Sequence, residues 1–339
     1  MRWTIASKAF ATMAALLIVV APYRANARSY RHFVEGAVTG VAPTKVEGGL
    51  LLMGGGDRNL QAMRWFFAKA GHGHIVILRA SQKGEIGKEF VREIGGILSA
   101  ETFVILDRSA AFDPKVLAAL RGADGIFLSG GDQARYVRRW RATPIAEIID
   151  AHVAAGKPLG GTSAGLAVLG EYVYGAMDDR SITSEEALAD PFGAGVTIER
   201  DFLHIALLRG VITDTHFKER NRLGRLFAFM AKAQSIQQPG AKALIGLGID
   251  EGAAMTVESD GTSRIYTDVP DGGAWLVNGE TLSIAAKAGP LQVSSVRVTG
   301  IGPATRFHLP DGKVEHPTFV RDYAVAGYGL EMLRDVPIP

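Results

Sequence analysis

From residue 49 onward, short apolar runs alternate with longer amphipathic ones, and this alternation restricts the folds open to the chain more than any other feature. Short apolar runs bounded by Gly, Asp or Ser are typical of strands buried on both faces, and apolar residues three and four positions apart are typical of helices covering such a sheet. The predicted strands are Leu50–Met53, Ile75–Leu78, Phe103–Leu106 and Gly125–Leu128. The predicted helices are Asn59–Ala70, Glu85–Ser99, Pro114–Leu120 and Thr143–Ala155. The sequence therefore predicts an α/β fold, with a mostly parallel sheet and helices on both faces.

The pattern changes after Gly246, where short strand-like segments are separated by Asp-Gly and Asn-Gly turns. These segments are Met255–Glu258, Ser263–Tyr266, Ala274–Val277 and Leu291–Thr299. A β-rich C-terminal part is therefore predicted to follow the α/β part. No periodicity assigns a structure to residues 317–339.

The N-terminus has the pattern of a secretory signal peptide. Arg2 and Lys8 precede an apolar stretch, Ala9–Val20, and Ala25-Asn26-Ala27 supplies small residues at a cleavage point. The stretch is shorter than the ~20 apolar residues of a membrane-spanning helix, so a signal peptide over residues 1–27 is favoured over an anchor. We expect export to the periplasm or the medium, and the chain has no cysteine for a disulfide or a lipid anchor.

The charge balance limits the classes of partner. The chain has 37 Lys and Arg against 35 Asp and Glu, a net charge of +2, which favours neither nucleic acid nor an anionic membrane as a partner. A peptide or small-molecule substrate stays open, and the oligomeric state, a homodimer included, is not set by the sequence. No metal or cofactor is predicted. The Gly54-Gly55-Gly56 segment resembles a nucleotide-binding loop in composition but lacks the spacing of a dinucleotide or phosphate loop.

A Gly-x-Ser-x-Gly motif, Gly161 to Gly165, lies between an apolar segment and a helix-like run. In a strand-to-helix elbow, small neighbours permit the strained backbone that exposes the serine hydroxyl. Glycine-rich turns without a catalytic role have the same composition, so the motif by itself does not establish that Ser163 is a nucleophile. A nucleophilic Ser163 needs a base to take its proton and an acid to orient that base.

Candidate partners follow other predicted strands. Among the eight histidines, His216 is the best placed, because it ends an apolar run just before a probable helix, where active sites of parallel sheets collect. Asp250 and Glu251 end another apolar run, and either could orient the imidazole. An amide of the Gly130-Gly131 turn, assigned to Gly131, and the amide of Ala164 are the predicted oxyanion-hole donors.

A basic cluster follows His216. Arg220, Arg222 and Arg225 are predicted to lie on one helix, and a solvated basic face would be the ordinary reading of such a helix. Next to His216, however, guanidinium groups can bind carboxylates in a bidentate manner, and Asp214 could face a cationic group of the same ligand. The cluster therefore favours a zwitterionic ligand.

Four motifs in order carry a resemblance to a known family. They are Gly54-Gly55-Gly56-Asp57, Gly130-Gly131-Asp132-Gln133, Gly161-Thr162-Ser163-Ala164-Gly165, and the segment 214–226 with Gly248-Ile249-Asp250-Glu251 behind it. By these motifs the chain resembles the cyanophycinases, in the serine peptidase family that also holds aspartyl dipeptidase. The likeness covers roughly residues 48–310, preceded by an N-terminal segment (28–47) and followed by a C-terminal extension (311–339). It implies a three-layer α/β/α fold similar to class I glutamine amidotransferases.

The resemblance also implies an activity and roles for residues. The triad would be Ser163, His216 and Glu251, as nucleophile, base and orienting acid. The substrate-binding residues would be Gln133, Asp214, Arg220, Arg222 and Arg225. The implied reaction is exopeptidase hydrolysis of cyanophycin, a polyaspartate with arginine on each side-chain carboxyl, to β-aspartyl-arginine.

Two departures leave the substrate open. Cyanophycinases usually carry glutamine where this chain has Thr215, and the stretch between Arg225 and Glu251 is longer than usual, with Gln234–Lys242 as a predicted surface insertion. A dipeptidase for other aspartyl or isoaspartyl peptides, and an exported binding protein without turnover, are the alternatives. Glutamine amidotransfer would need a cysteine at the elbow, and the chain has none.

Overall fold

The computed structural model describes residues 29–81, 84, 86–282, 284, 289–309, 311–327 and 329–338. The predicted signal peptide and its cleavage point lie outside these residues. Within the described ranges, no helix is both long and apolar enough to span a membrane.

Strands predominate in the described chain, with helices concentrated in its first two thirds. The strands are β1 (Tyr30–Gly36), β2 (Gly49–Met53), β3 (His74–Arg79), β4 (Ser99–Ile105), β5 (Gly125–Leu128), β6 (Leu159–Thr162), β7 (Val173–Tyr174), β8 (Ile198–Glu199), β9 (Val211–Asp214), β10 (Ile245–Ile249), β11 (Ala253–Glu258), β12 (Thr262–Thr267), β13 (Ala274–Asn278), β14 (Val293–Ile301), β15 (Arg306–His308), β16 (Lys313–Glu315), β17 (Phe319–Ala326) and β18 (Gly329–Asp335). The helices are α1 (Leu60–Lys69), α2 (Pro114–Gly122), α3 (Gln133–Trp140), α4 (Pro144–Ala154), α5 (Ala164–Ala167), α6 (Ser184–Ala189) and α7 (Leu223–Ile236).

The larger sheet has the strand order β1-β4-β3-β5-β6-β2-β11-β12-β15-β16. Its centre, from β4 to β2, is parallel, and the strands flanking this centre pair in antiparallel fashion. Parallel strands end at a common edge, so the residues after β2, β5 and β6 are brought together there.

Helices cover both faces of the parallel centre because its strands are apolar on both sides. Leu51 and Met53 of β2 pack in a cluster with Phe66 of α1, while Leu50 and Leu52 pack in another cluster with residues of α2, α3 and α4. The predicted three-layer α/β/α arrangement, similar to class I glutamine amidotransferases and followed by a β-rich part, is confirmed.

The second sheet has the order β18-β17-β14-β13-β10-β9, and only β9 and β10 are parallel. Helix α7 packs against it through buried residues that include Phe227 and Phe229. The β-rich C-terminal part is thus divided, because β11, β12, β15 and β16 extend the larger sheet instead.

The segments outside the predicted 48–310 domain pair with strands inside it. Strand β1, from the predicted N-terminal segment, lies against β4, and β16 and β17, from the predicted C-terminal extension, lie against β15 and β14. The previously unassigned tail forms β17 and β18. Both flanking segments are therefore built into the two sheets.

The predicted helix Glu85–Ser99 is wrong in its extent. A single π-helical segment, Glu89–Ile94, forms there, and Ser99 already belongs to β4, opposite Gly36 and His74. Pairing on both sides of β4 outweighs the helical spacing of the preceding residues. Helix α3, which begins at Gln133, was not predicted.

Candidate active site

Ser163 occupies a strand-to-helix elbow, between the last residue of β6 and the first of α5. Its backbone has φ 51° and ψ −122°, a conformation that is strained for a residue with a side chain and typical of nucleophile elbows. A Cβ at Gly165 would collide with the carbonyl oxygen of Leu128, so glycine is required at the end of the motif. The partly exposed serine is therefore held in position by its tightly packed neighbours.

His216 reaches Ser163 from the second sheet. It follows the end of β9, and its Nε2 lies 2.8 Å from Ser163 Oγ. The Thr213 hydroxyl donates to the carbonyl of Leu166 at 3.0 Å, which ties β9 to the helix after the elbow. The candidate site therefore lies where the two sheets meet.

The loop after β2 packs against the imidazole. The amide of His216 donates to the carbonyl of Gly54 at 2.8 Å, and a Cβ at Gly55 would collide with the His216 ring. Gly55 also has φ 112°, which disfavours any other residue. The first glycine motif thus forms one wall beside the imidazole.

Glu251, not Asp250, is hydrogen-bonded to the imidazole. The Glu251 carboxylate accepts from Nδ1 of His216, which leaves Nε2 as the acceptor for the serine proton. Asp250 is buried and accepts from the amides of Lys218 (3.0 Å) and Gly273 (3.1 Å) and from the indole of Trp275 (3.0 Å). Burial raises the pKa of Asp250 to about 6. The two carboxylates that the sequence left open thus have different partners.

The electrostatics around His216 favour its neutral form. Burial lowers the pKa of His216 below its ordinary value, the hydrogen bond to Glu251 opposes this, and the positive charge of Arg220 lowers the pKa further. The Arg220 guanidinium lies 3.6 Å from the Glu251 carboxylate. A neutral imidazole at pH 7 can accept a proton from the serine hydroxyl.

The Gly130-Gly131 turn lies beside the nucleophile. A Cβ added to Gly130 would be 3.3 Å from Ser163 Cβ, whereas one on Gly131 would face Ser81 at 2.9 Å. Ala164 begins α5 directly after the serine. Gly130 and Ala164 therefore lie next to Ser163, while the role of Gly131 and Ala164 as oxyanion-hole donors stays a prediction.

Three of the five residues predicted to bind substrate bind one another instead. Asp214 and Arg225 are each 2% exposed, and Arg225 donates from Nε (2.7 Å) and Nη2 (2.5 Å) to the two oxygens of Asp214. Arg225 Nη1 donates to the Ser181 hydroxyl at 2.8 Å. In this arrangement the Asp214 carboxylate is engaged by Arg225 and does not face a ligand.

Arg222 supports the same segment. It is 8% exposed, and its Nη1 donates to the carbonyl of Thr215 at 2.7 Å and to the Thr215 hydroxyl at 3.3 Å. Burial lowers the pKa of Arg222 to about 10. Thr215, which stands where the resembled family usually has glutamine, is itself buried. Arg222, Arg225 and Asp214 together hold the backbone that leads to His216.

The remaining two predicted substrate-binding residues are accessible. The Arg220 side chain is 52% exposed, and Gln133 is partly exposed at the start of α3. The predicted common helix for the arginines is wrong, because α7 begins at Leu223 and Arg220 and Arg222 precede it. Positive φ angles at His216 (47°) and Asn221 (48°) delay the helix.

Sequence reasoning missed two supporting residues. Ser181 accepts from Arg225, and Glu219 accepts from the amide of Glu251 at 3.0 Å. Glu219 lies within the motif between His216 and Arg220, but nothing in the sequence indicates the role of Ser181. In the part of the chain that the structure describes, no three His, Cys, Asp or Glu side chains are grouped as a metal site would require.

Comparison with known proteins gives a consistent result. The sequence model of peptidase family S51 matches residues 50–265. A cyanophycinase of Trichormus variabilis is 29% identical over 287 residues, covering 79% of this chain and 87% of the relative. A cyanophycinase of Geminocystis herdmanii is 26% identical over 275 residues, covering 76% of this chain and 93% of the relative. The crystal structure of a peptidase from an acI-B1 Actinobacterium has a similar fold, with a TM-score of 0.50 and 17% identity over 69% of this chain and 91% of that one.

Proposed function

The chain belongs to peptidase family S51 and is a serine-type peptidase, and from that membership we propose that it hydrolyses cyanophycin outside the cytoplasm, with Ser163, His216 and Glu251 as its catalytic triad. The observation that carries the triad is the 2.8 Å contact between Ser163 Oγ and His216 Nε2, with Glu251 on the other ring nitrogen. This is the hydrogen-bond order of nucleophile, base and orienting acid.

In the proposed mechanism, His216 takes the proton of Ser163 while Oγ attacks the carbonyl carbon of the scissile amide. The amides of Ala164 and Gly131 stabilise the resulting oxyanion. His216 then gives its proton to the leaving nitrogen, and an acyl-enzyme ester remains. Water, deprotonated by His216, attacks this ester and releases the acid and the free serine.

Cyanophycin as the substrate is supported by the relatives, which are cyanophycinases. Each arm of that polymer ends in a guanidinium and a carboxylate, and Arg220 and Gln133, both accessible polar side chains, are proposed to bind an arm. Export is supported by the signal-like pattern of residues 1–27.

A second candidate, a dipeptidase for other aspartyl peptides, is favoured by one observation. Asp214, Arg222 and Arg225 are buried and form ion pairs with one another, so fewer charged groups face the cleft than an arginine-rich polymer would be expected to need. This candidate shares the proposed triad and differs only in its substrate.

The test is incubation of purified protein, starting at residue 28, with insoluble cyanophycin and detection of β-aspartyl-arginine by mass spectrometry. We expect release by the parent and by Ser235→Ala, a serine variant at the exposed end of α7, but not by Ser163→Ala. Labelling with a fluorophosphonate probe separates the alternatives. A parent protein that is labelled but releases no β-aspartyl-arginine would reject cyanophycin as the substrate and leave the dipeptidase function. A folded parent protein that is not labelled would reject the proposed triad.

A further inference from the structure

A cavity of about 710 Å³ lies next to the loops that carry two of the triad candidates. Lys218, two positions after His216, and Asp250, directly before Glu251, both line it. The rest of its wall comes from the loop between β12 and β13 and from strands of the second sheet. Its volume is in the range of small-molecule sites, and neither the proposed triad nor the predicted substrate-binding residues occupy it.

An aromatic pair lines the cavity. The rings of Trp275 and Phe319 lie edge to face, with centroids 4.8 Å apart, and the Trp275 indole is anchored on Asp250. The guanidinium of Arg321 already lies over the Phe319 ring, 4.5 Å from its centroid, while it pairs with Asp335 at 2.6 Å. The surface therefore accommodates a planar cation against an aromatic face.

Charged groups of both signs line the same cavity. Asp268 and Asp271 lie in the loop after β12, and Lys218 lies on the side of the triad loops. Asp268 accepts from Asn59 at 3.0 Å. Lys218 and Asp271 are exposed, and neither forms an ion pair with another described residue, so a cationic and an anionic group are both available to a ligand.

We propose that this cavity is a second subsite that binds an arginyl unit bearing both a guanidinium and a free carboxylate, with Asp271 and Asp268 on the guanidinium, Trp275 against its plane and Lys218 on the carboxylate. The identification of this ligand as an arm of the polymer rests on the proposed function. The charge and aromatic character of the cavity do not depend on that function. One arm would be held here while the scissile amide of another unit lies at Ser163. The subsite would favour a polymer over a single dipeptide.

Binding is tested with Nα-acetyl-L-arginine, which carries both charged groups and no amine. Titration into Ser163→Ala protein should show saturable binding, weakened about five- to tenfold by Asp271→Asn and by Lys218→Gln. Asp201→Asn is the matched control, because Asp201 is exposed with φ 56° and Asp271 is exposed with φ 54°. Equal affinity in Asp271→Asn, Lys218→Gln and Asp201→Asn would overturn the subsite.

A second probe, Nα-acetyl-L-arginine amide, lacks the carboxylate. Its binding should remain sensitive to Asp271→Asn and become insensitive to Lys218→Gln, because the partner of Lys218 has been removed. Sensitivity of this probe to Lys218→Gln would contradict the assigned orientation and overturn the proposal.

Kinetics separate the subsite from the proposed function. If both hold, Asp271→Asn lowers kcat/KM on cyanophycin several-fold and leaves fluorophosphonate labelling of Ser163 unchanged. A parent that does not act on cyanophycin, while the probes bind as expected, would reject the substrate and retain the subsite. If Asp201→Asn lowers kcat/KM on cyanophycin as much as Asp271→Asn does, the effect is not specific to the cavity and the proposed subsite is overturned.

Discussion

At the scale of single residues, the protonation of His216 decides whether the proposed site can act. The imidazole must be neutral to accept the serine proton, and burial together with the charge of Arg220 keeps its pKa below the ordinary value. The rate should therefore persist below pH 6.5 and fall only when the pH drops through the lowered pKa. Because the pKa of His216 is lower in the folded state, the folded state binds a proton on this imidazole less readily than the unfolded state does. The contribution of the neutral His216 to the free energy of unfolding is therefore fully present above pH 6.5 and is lost as the pH falls through the lowered pKa.

Arg220→Gln tests this electrostatic role. Removing the guanidinium 3.6 Å from Glu251 removes a charge that lowers the pKa of His216, so the acid limb of the profile of kcat/KM against pH should move to higher pH. Arg121→Gln, at an exposed position of α2, should leave the limb in place. An unmoved limb with a several-fold higher KM would instead assign Arg220 to substrate binding alone.

At the scale of elements, the buried pair of Asp214 and Arg225 connects the end of β9 to helix α7. The Arg225 guanidinium also lies close to the stacked rings of Tyr174 and Phe229, 5.5 and 5.4 Å from their centroids. A buried charge that loses its partner is strongly destabilising, whereas replacing both partners by apolar residues is much less so. The contact therefore sets the position of the His216 segment relative to α7.

Arg225→Met should lower the free energy of unfolding by about 3–5 kcal/mol in urea titrations, because the buried Asp214 carboxylate loses both of its short hydrogen bonds to a guanidinium and keeps only Arg222, at 3.5 Å, as a cationic partner. The double variant Asp214→Leu/Arg225→Met should recover part of this loss, because Arg222 then loses its carboxylate and keeps its hydrogen bond to Thr215. Arg180→Met, which breaks an exposed pair with Glu186, should change the unfolding free energy little. A single variant as stable as the parent would show that the pair does not hold the segment.

At the scale of the whole molecule, the site depends on the junction of two sheets. Ser163 follows a strand of the larger sheet, His216 follows a strand of the second, and Glu251 lies on the turn between β10 of the second sheet and β11 of the larger one. Strand β17 contributes to the second sheet, pairing with β14, burying Val325 and placing Phe319 against Trp275. The tail therefore belongs to the structure that carries the histidine.

Ending the chain at residue 316 should lower the melting temperature by more than about 5 °C or make the protein insoluble, because it exposes the edge of β14 and the apolar residues under β17. Ending it at residue 336 removes only the residues beyond the last paired position, where the amide of Val336 bonds Val320, and should have little effect. Unchanged melting temperature and labelling of Ser163 in the shorter chain would contradict an integral role for β17 and β18.

Local patterns predicted much of this molecule. Four of the five strands of the parallel centre, β2 to β5, and three of the four predicted helices, α1, α2 and α4, follow from apolar spacing over a few residues. The elbow at Ser163 follows from its glycines. Such features depend on neighbouring positions, so the sequence expresses them directly. The helix predicted over residues 85–99 was wrong in its extent, because its last residue, Ser99, pairs with distant strands on both sides.

The sequence by itself determined the layered α/β core, the serine elbow and the short set of residues from which a base and an acid could come. Only the tertiary structure decided that Glu251 accepts a hydrogen bond from His216 while Asp250 accepts one from Trp275. It also decided that Asp214 forms ion pairs with Arg222 and Arg225. The physical reason is that charge pairing depends on distance and burial between residues remote in the chain. No local spacing encodes either quantity.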